Sequence, residues 1–181
     1  MRNGVVLAVA LLATFVAAPT AAPDSSTRVE PRLLLESAVV REMNRARAAS
    51  GLRPVRSSPS LRTAARSHSR SMLEHGFFSH DSVDGTAFSD RIRRYYTSRG
   101  WRTWSVGETL LASPTAAGDA KAIVAAWLGS PPHRDVILDP TWRDAGIGAL
   151  YAATAPNEYR GGETIVVTAD FGMREGKLAP A

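Results

Sequence analysis

Four histidines, no cysteine and a few isolated acids hold most of the chemistry that this 181-residue sequence could perform. Without cysteine there is no thiol nucleophile, no thiolate metal site and no disulfide. His80 stands in Phe77-Phe78-Ser79-His80-Asp81-Ser82, between a helix stop at Gly76 and the turn Asp84-Gly85. Histidines on loops held by rigid elements are stronger functional candidates than those on helix faces. His133 is the third residue after Ser130, at the start of a short helix. The positive helix end disfavours imidazolium there and predicts neutral imidazole, the form that binds metals. Glu108 follows Gly107 inside an otherwise apolar strand, where a carboxylate needs a partner or solvent. His68 falls on the apolar face of a helix and reads as a buried, hydrogen-bonded core histidine. His75 lies at the end of that helix, within reach of its last carbonyls.

These residues admit two chemistries. Two neutral imidazoles, His80 and His133, could hold a divalent metal, zinc or magnesium, with a bound water, and Glu108 could accept the proton of that water. A catalytic set of His80, Glu108 and His133 would then make a metal-dependent extracellular hydrolase. Two nitrogens are fewer than the three protein ligands usual for catalytic zinc, and Glu108 as third ligand would no longer be free as the base. That hydrolase is the alternative; the first expectation is an extracellular binding module with no reaction of its own. The sequence has no H-E-x-x-H, no G-x-S-x-G elbow and no phosphate-binding glycine loop.

The elements that must position these side chains follow from periodicity. A first helix is expected over about Leu33–Ala49, stopped by Gly51. A second starts at Ser58-Pro59, serine as cap and proline as first helical residue, carries Leu61, Ala64, Ala65, His68 and Met72 on one face, and ends at Gly76. A third is expected over about Ala87–Ser98, up to Gly100. A strand follows from Trp101 to Val106 and on past Gly107-Glu108 to Leu110-Leu111. A fourth helix is expected from Ser113-Pro114 and carries Ile123, Val124, Trp127 and Leu128. A fifth, short turn runs from Ser130 through Leu138. Residues 147–152 and 165–171 close the domain as a hairpin over the polar turn Asn157–Gly162. Helices first and strands late favour α+β with an antiparallel sheet over a parallel doubly wound one.

Hydrophobic residues make up 44% and charged residues 22%, which argues for a folded chain rather than disorder. Residues 1–22 read as a secretory signal peptide: basic Arg2, an apolar run from Gly4 to Ala18, then small residues around Pro19. That run is short of the roughly 20 residues a transmembrane helix needs. Residues 23–32 read as a linker, 33–173 as the domain and 174–181 as a C-terminal tail. The expected chain is therefore a secreted monomer with no membrane span once the signal is removed. The net charge is +5. Arg91, Arg93, Arg94 and Arg99 cluster, which reads as a solvated helix face, or as a patch for anionic wall polymers or lipid headgroups. No aromatic–basic interleaving points to nucleic acid.

Taken in order, the motifs resemble a family. Asn44-Arg45-Ala46-Arg47 with Gly51-Leu52-Arg53-Pro54-Val55 is similar to the opening of the CAP domain, shared by cysteine-rich secretory proteins, antigen 5 and pathogenesis-related 1 proteins. Leu61-x-x-Ala64-Ala65-x-x-His68-x-x-x-Met72 resembles its second helix, and Phe78-Ser79-His80 with Asp84-Gly85 its first histidine loop. Gly107-Glu108 resembles its Gly-Glu-Asn strand. Trp127-Leu128-x-Ser130-Pro131-x-His133-Arg134-x-x-Ile137-Leu138 resembles the bacterial form of its later histidine segment. Gly146-Ile147-Gly148 and Thr168-x-Asp170-Phe171-Gly172 resemble its last two strands. The resemblance implies an α-β-α sandwich around a central, mainly antiparallel sheet of three to four strands. It implies a cleft of two histidines, here His80 and His133, and two acids, of which Glu108 is the first. In some members that cleft binds a divalent metal. The second acid's position falls at Ser130, which reads as a helix cap. Thr109 and Val136 replace two expected asparagines. The implied partners are a lipid, a cell-wall polymer or an extracellular protein.

Overall fold

The computed structural model describes residues 27–114 and 119–179. The expected signal peptide lies outside the described residues. In chain order the elements are β1 (Val29–Pro31), α1 (Leu33–Ala49), β2 (Arg56–Ser57), α2 (Pro59–His75), α3 (Phe88–Arg93), β3 (Trp101–Ser113), α4 (Ala120–Gly129), α5 (Pro131–Ile137), β4 (Asp144–Ala152) and β5 (Thr164–Lys177). A short 3₁₀ turn, Asn157–Tyr159, lies between the last two strands. Helices α1 and α2 start and end where the sequence places them. Ser58 caps α2, its hydroxyl accepting from the Leu61 N–H, and Gly76 closes it in the left-handed conformation at φ +66°.

The sheet runs in the order β1-β4-β5-β3, every neighbouring pair antiparallel, with β2 adding a two-residue parallel pairing to β4. The antiparallel α+β expectation holds, with five strands instead of three or four. The expected linker contributes one of the extra strands: Val29–Pro31 pairs with Leu150–Ala152. The expected tail begins inside β5, because the β3–β5 ladder continues to Trp101↔Lys177.

Each face of the sheet is covered. On one face α1, α4 and α5 lay Val39, Met43, Ile123, Trp127 and Ile137 over Ile147, Ala149, Val167, Ala169 and Phe171. On the other, α2 and α3 form two separate apolar clusters. Met72 and Leu73 pack on Leu110, Leu150 and Val166, while Leu61 joins Ile92 and Tyr96. Alternation along the strands divides these sets.

Close approach of α2 to β4 depends on two glycines. A Cβ on Gly146 would stand 2.0 Å from the Arg62 nitrogen, and one on Gly148 2.3 Å from the Arg66 nitrogen. The helix backbone thus rests directly on the strand backbone. Beside it, Ser69 donates to the Gly148 carbonyl at 2.8 Å and lies 2.8 Å from the Thr168 hydroxyl.

Two helices differ from expectation. Regular α3 stops at Arg93 instead of Ser98. Tyr96 turns into the core beside Leu61 and Ile92, and its carbonyl accepts from the Trp104 indole N–H at 2.7 Å. Helix α4 starts at Ala120, capped by Asp119, rather than at Ser113-Pro114. Ser113 is still in the β3–β5 ladder, opposite Ile165, and it is Asp119 that accepts the Lys121 N–H at the start of the helix.

The glycine contacts generate a contrast. Gly148→Ala should lower the urea midpoint by the equivalent of about 1–3 kcal/mol or more, since backbone must move. Gly129→Ala, in helix α4 with nothing within 4 Å of the new methyl, should raise stability by about 0.5–1 kcal/mol. Chemical denaturation of both variants checks this; equal midpoints would contradict the packing described.

Candidate functional site

β3 is an edge strand, and there the two helical layers meet. The loop after α2 and helix α3 approach from one side, helix α5 from the other. Glu108 lies on β3 with its side chain on the α2 face. Its carboxylate is 1% exposed, whereas the His80 side chain is 50% exposed. His80 Nδ1 bonds Glu108 Oε1 at 2.8 Å. Arg91, from α3, donates through Nη2 to Glu108 Oε2 at 2.5 Å and to the His80 carbonyl at 3.2 Å. One guanidinium thus holds both the acid and the loop that carries the histidine. The loop is further set by the Asp84-Gly85 turn, where Thr86 N–H bonds Asp84 Oδ1 at 2.9 Å and Gly85 takes φ +80°.

Gly107 brings α5 close. Its missing Cβ would lie 2.7 Å from the Trp142 ring, and the Trp142 indole donates to the Val136 carbonyl at 2.7 Å. Buried Arg47 fixes the end of α5 as well, bonding the carbonyls of Ile137 at 2.6 Å and Asp139 at 3.0 Å. His133, half-buried on α5, sits near enough to His80 to feel its charge. Ser130 occupies the N-cap of α5 by backbone conformation, but its hydroxyl makes no capping bond. Thr109 is buried on the opposite face from Glu108, its hydroxyl without a protein partner.

The electrostatics follow from this geometry. Burial alone would raise the Glu108 pKa; the bond from His80 and the charge of Arg91 outweigh it and hold the carboxyl below its ordinary value. The same bond to Glu108 raises His80. His133 is lowered, as expected, but through desolvation first and the His80 charge second. His68 is fully buried and bonded at Nε2 to the Ser79 carbonyl at 2.8 Å, in keeping with a core histidine, and desolvation lowers it.

Two residues were absent from the sequence-based site. Arg91 reads as part of a solvated arginine face, yet it is buried against Glu108. Of that cluster, Arg93 does reach the surface, bonding Asp90 at 3.0 Å and lying 4.6 Å from the Trp104 ring. Asp170 is the second. It faces Glu108 across the β3–β5 ladder, is wholly buried, and neither carboxyl oxygen has a hydrogen-bond partner of ordinary geometry. Desolvation and then the Glu108 charge push its pKa well above the usual carboxylate value. The available signal was an acid in the middle of a buried strand, opposite another such acid.

No group of three or more histidine, aspartate or glutamate side chains among the described residues is arranged to hold a metal ion. A cavity of about 330 Å³ lies elsewhere, between α1 and α2 around the Glu36–Arg66 ion pair, and none of His80, Glu108 and His133 lines it.

Two outcomes check these charges. Histidine NMR titration should place His80 above, and His133 below, the usual value of about 6.5. Asp170 binds its proton more tightly folded than unfolded, so it subtracts stability as pH rises above about 4. Asp170→Asn should therefore be more stable than the parent at pH 7, with the gap closing towards pH 4 in urea titrations.

The family model described as the cysteine-rich secretory protein family, CAP, matches residues 40–171. An uncharacterised protein of Bacillus subtilis, YkwD, is 28% identical over 129 residues, covering 71% of this chain; the chain spans 45% of that protein's length. Among solved structures, an extracellular SCP-domain protein from Bacillus anthracis superposes with TM-score 0.61 at 23% identity, over 79% of this chain and 41% of that one. An outer surface protein of Borrelia burgdorferi gives TM-score 0.64 at 19% identity, over 82% of this chain and 99% of that one. Likeness at those identities speaks for the fold, the α-β-α sandwich. With most of its length matched by the family model and its fold shared with SCP domains, the chain belongs to the CAP family.

Proposed function

We propose that this CAP domain is a binding module that works outside the cell and holds its ligand at the cleft between His80 and His133. The observation that carries the reading is the saturation of Glu108. Both of its oxygens are engaged, by His80 and by Arg91, and its pKa is held down, so it is a poor proton acceptor. What the cleft offers outward is the rest of the His80 ring and His133. The leader-like residues 1–22, and the extracellular and outer-surface descriptions of the structural neighbours, support a place outside the cell.

The complement of this surface is a ligand with an anionic or hydroxyl group beside apolar surface. His80 stays protonated to higher pH than a free histidine, and its loop also exposes Phe78 and Val83. Lipid, wall-polymer and protein ligands all include such chemistry.

A metal-dependent hydrolase is the weaker reading. His80 and His133 can each offer one ring nitrogen to an ion, and among the described residues no group of three or more histidine, aspartate or glutamate side chains is arranged to hold one. Catalytic zinc uses three protein ligands, and magnesium prefers oxygen ligands in octahedral geometry. The donor set fits neither zinc nor magnesium.

Titrating the protein with fluorescent anionic-lipid vesicles and with soluble wall fragments tests the proposal. Saturable binding to at least one is expected, weakened about tenfold, or about 1.4 kcal/mol, in His80→Ala and in His133→Ala. Affinity for an anionic ligand should fall as pH rises through the raised His80 pKa, because the imidazolium is lost. Absence of saturable binding, or binding indifferent to both substitutions, would refute it.

A further inference from the structure

The cavity of about 330 Å³ between α1 and α2 has the size of a small-molecule site. Part of its lining is apolar, from Leu33 and Val40 of α1. Part is polar, from Ser37 of α1, Ser57 of β2, and Arg62 and Arg66 of α2. Leu33, Ser37 and Ser57 are themselves exposed, so the space opens to solvent. Neither His80 nor His133 lines it, and the reading of their cleft does not enter here.

The two arginines differ in what they are committed to. Arg66 forks onto Glu36, donating through Nε to Oε1 at 2.8 Å and through Nη2 to Oε2. Glu36 Oε1 also accepts the Ala149 N–H at 3.3 Å. This buried carboxylate is therefore neutralised by Arg66 and satisfied at both oxygens. Arg62 lies one helical turn earlier and is half-buried, yet no hydrogen bond, ion pair or aromatic ring engages its side chain. It is alone in this among the described cations that are not fully exposed. Arg32 stacks on Tyr151, Arg47 holds carbonyls, Arg66 and Arg91 hold acids, Arg143 meets Glu175 and Arg174 lies on Tyr96. The Arg62 guanidinium also keeps accessible surface, unlike Nε and Nη1 of Arg91. With Glu36 and Arg66 cancelling, Arg62 leaves the cavity one positive charge that nothing in the fold offsets.

From this unpaired, reachable guanidinium beside apolar wall we infer a binding site for a monocarboxylate carried on a short aliphatic body. The planar fork of Arg62 matches the two oxygens of a carboxylate, and the Ser37 and Ser57 hydroxyls can donate to the same group. Leu33 and Val40 receive the aliphatic part. A dianion such as a phosphate monoester fits less well, because its second charge finds no second free cation and lies beside the Glu36 carboxylate. An amine would meet Arg62 as a like charge. The favoured chemistry occurs both in a free short-chain acid and at the C-terminus of a peptide that ends in an aliphatic residue.

NMR titration of the protein at pH 7 with 4-methylpentanoate and with its neutral amide, 4-methylpentanamide, tests the site. The acid should bind with a Kd of about 1 mM, and about tenfold or more tightly than the amide. Shifts should centre on the start of α1 and on Ser57 to Arg66. Arg62→Gln should erase the preference, leaving acid and amide alike, while His80→Ala should leave it unchanged. Val40→Phe, which narrows the cavity, should weaken the acid severalfold; should that variant fail to fold, the Arg62→Gln comparison decides alone. N-Acetylleucine separates the two sources. Tighter binding than 4-methylpentanoate assigns the site to a peptide C-terminus, and weaker binding assigns it to a free acid. Absence of binding at tens of millimolar, equal affinity of the parent for acid and amide, undiminished binding in folded Val40→Phe, or a preference that survives Arg62→Gln or vanishes in His80→Ala would each overturn the inference.

Discussion

A carboxylate buried at the edge of a sheet has to be neutralised, and much of this molecule's polar architecture serves that need at Glu108. Ionised carboxylates in low dielectric are expensive unless paired and hydrogen-bonded. Here the compensation comes from α3 and from a loop, through Arg91 and His80. Arg91 is shared between the acid and the loop backbone, so the charge that neutralises Glu108 also fixes where His80 stands. The neighbouring acid, Asp170, has no such partner, and burial together with the Glu108 charge pushes its pKa up.

This polar layer lies between two apolar clusters under α2 and α3. Towards one end of the sheet Met72 and Leu73 cover Leu110, Leu150 and Val166; towards the other Leu61, Ile92 and Tyr96 pack together. Between them come Ser69 with Thr168, then Asp170 with Glu108. Apolar packing on both sides excludes water and makes the electrostatic pairing strong. Glycine is used for the same end. Gly146 and Gly148 let α2 rest on β4, and Gly107 admits Trp142, through which α5 and His133 reach the same edge. An edge strand where side chains from both helical layers meet is therefore a consequence of close packing as much as of the residues at the cleft.

Much of this was readable in the chain. The Ser58-Pro59 start and Gly76 stop of α2 are local signals, since a cap and a left-handed glycine depend on a few adjacent residues. The same local logic failed at Ser113-Pro114, where pairing with β5 outweighed a plausible cap, and beyond Arg93, where Tyr96 turns into the core. His80, Glu108 and His133 were legible as candidates, each through its local context and all three through ordered motifs. Arg91 was not, because a helical arginine beside other arginines looks solvated until its buried partner is known. Asp170 was quoted within a strand motif without a role, because its partner is on another strand.

The sequence by itself determined the periodic elements, the α+β class, the absence of thiol chemistry and the residue types able to meet at a cleft. These depend on composition and on spacing of a few residues. The tertiary structure decided which charges face each other: that Glu108 is tied to Arg91 as well as His80, and that Asp170 stands opposite it. Coulombic and desolvation energies depend on distance and burial in space, and neither is set by separation along the chain.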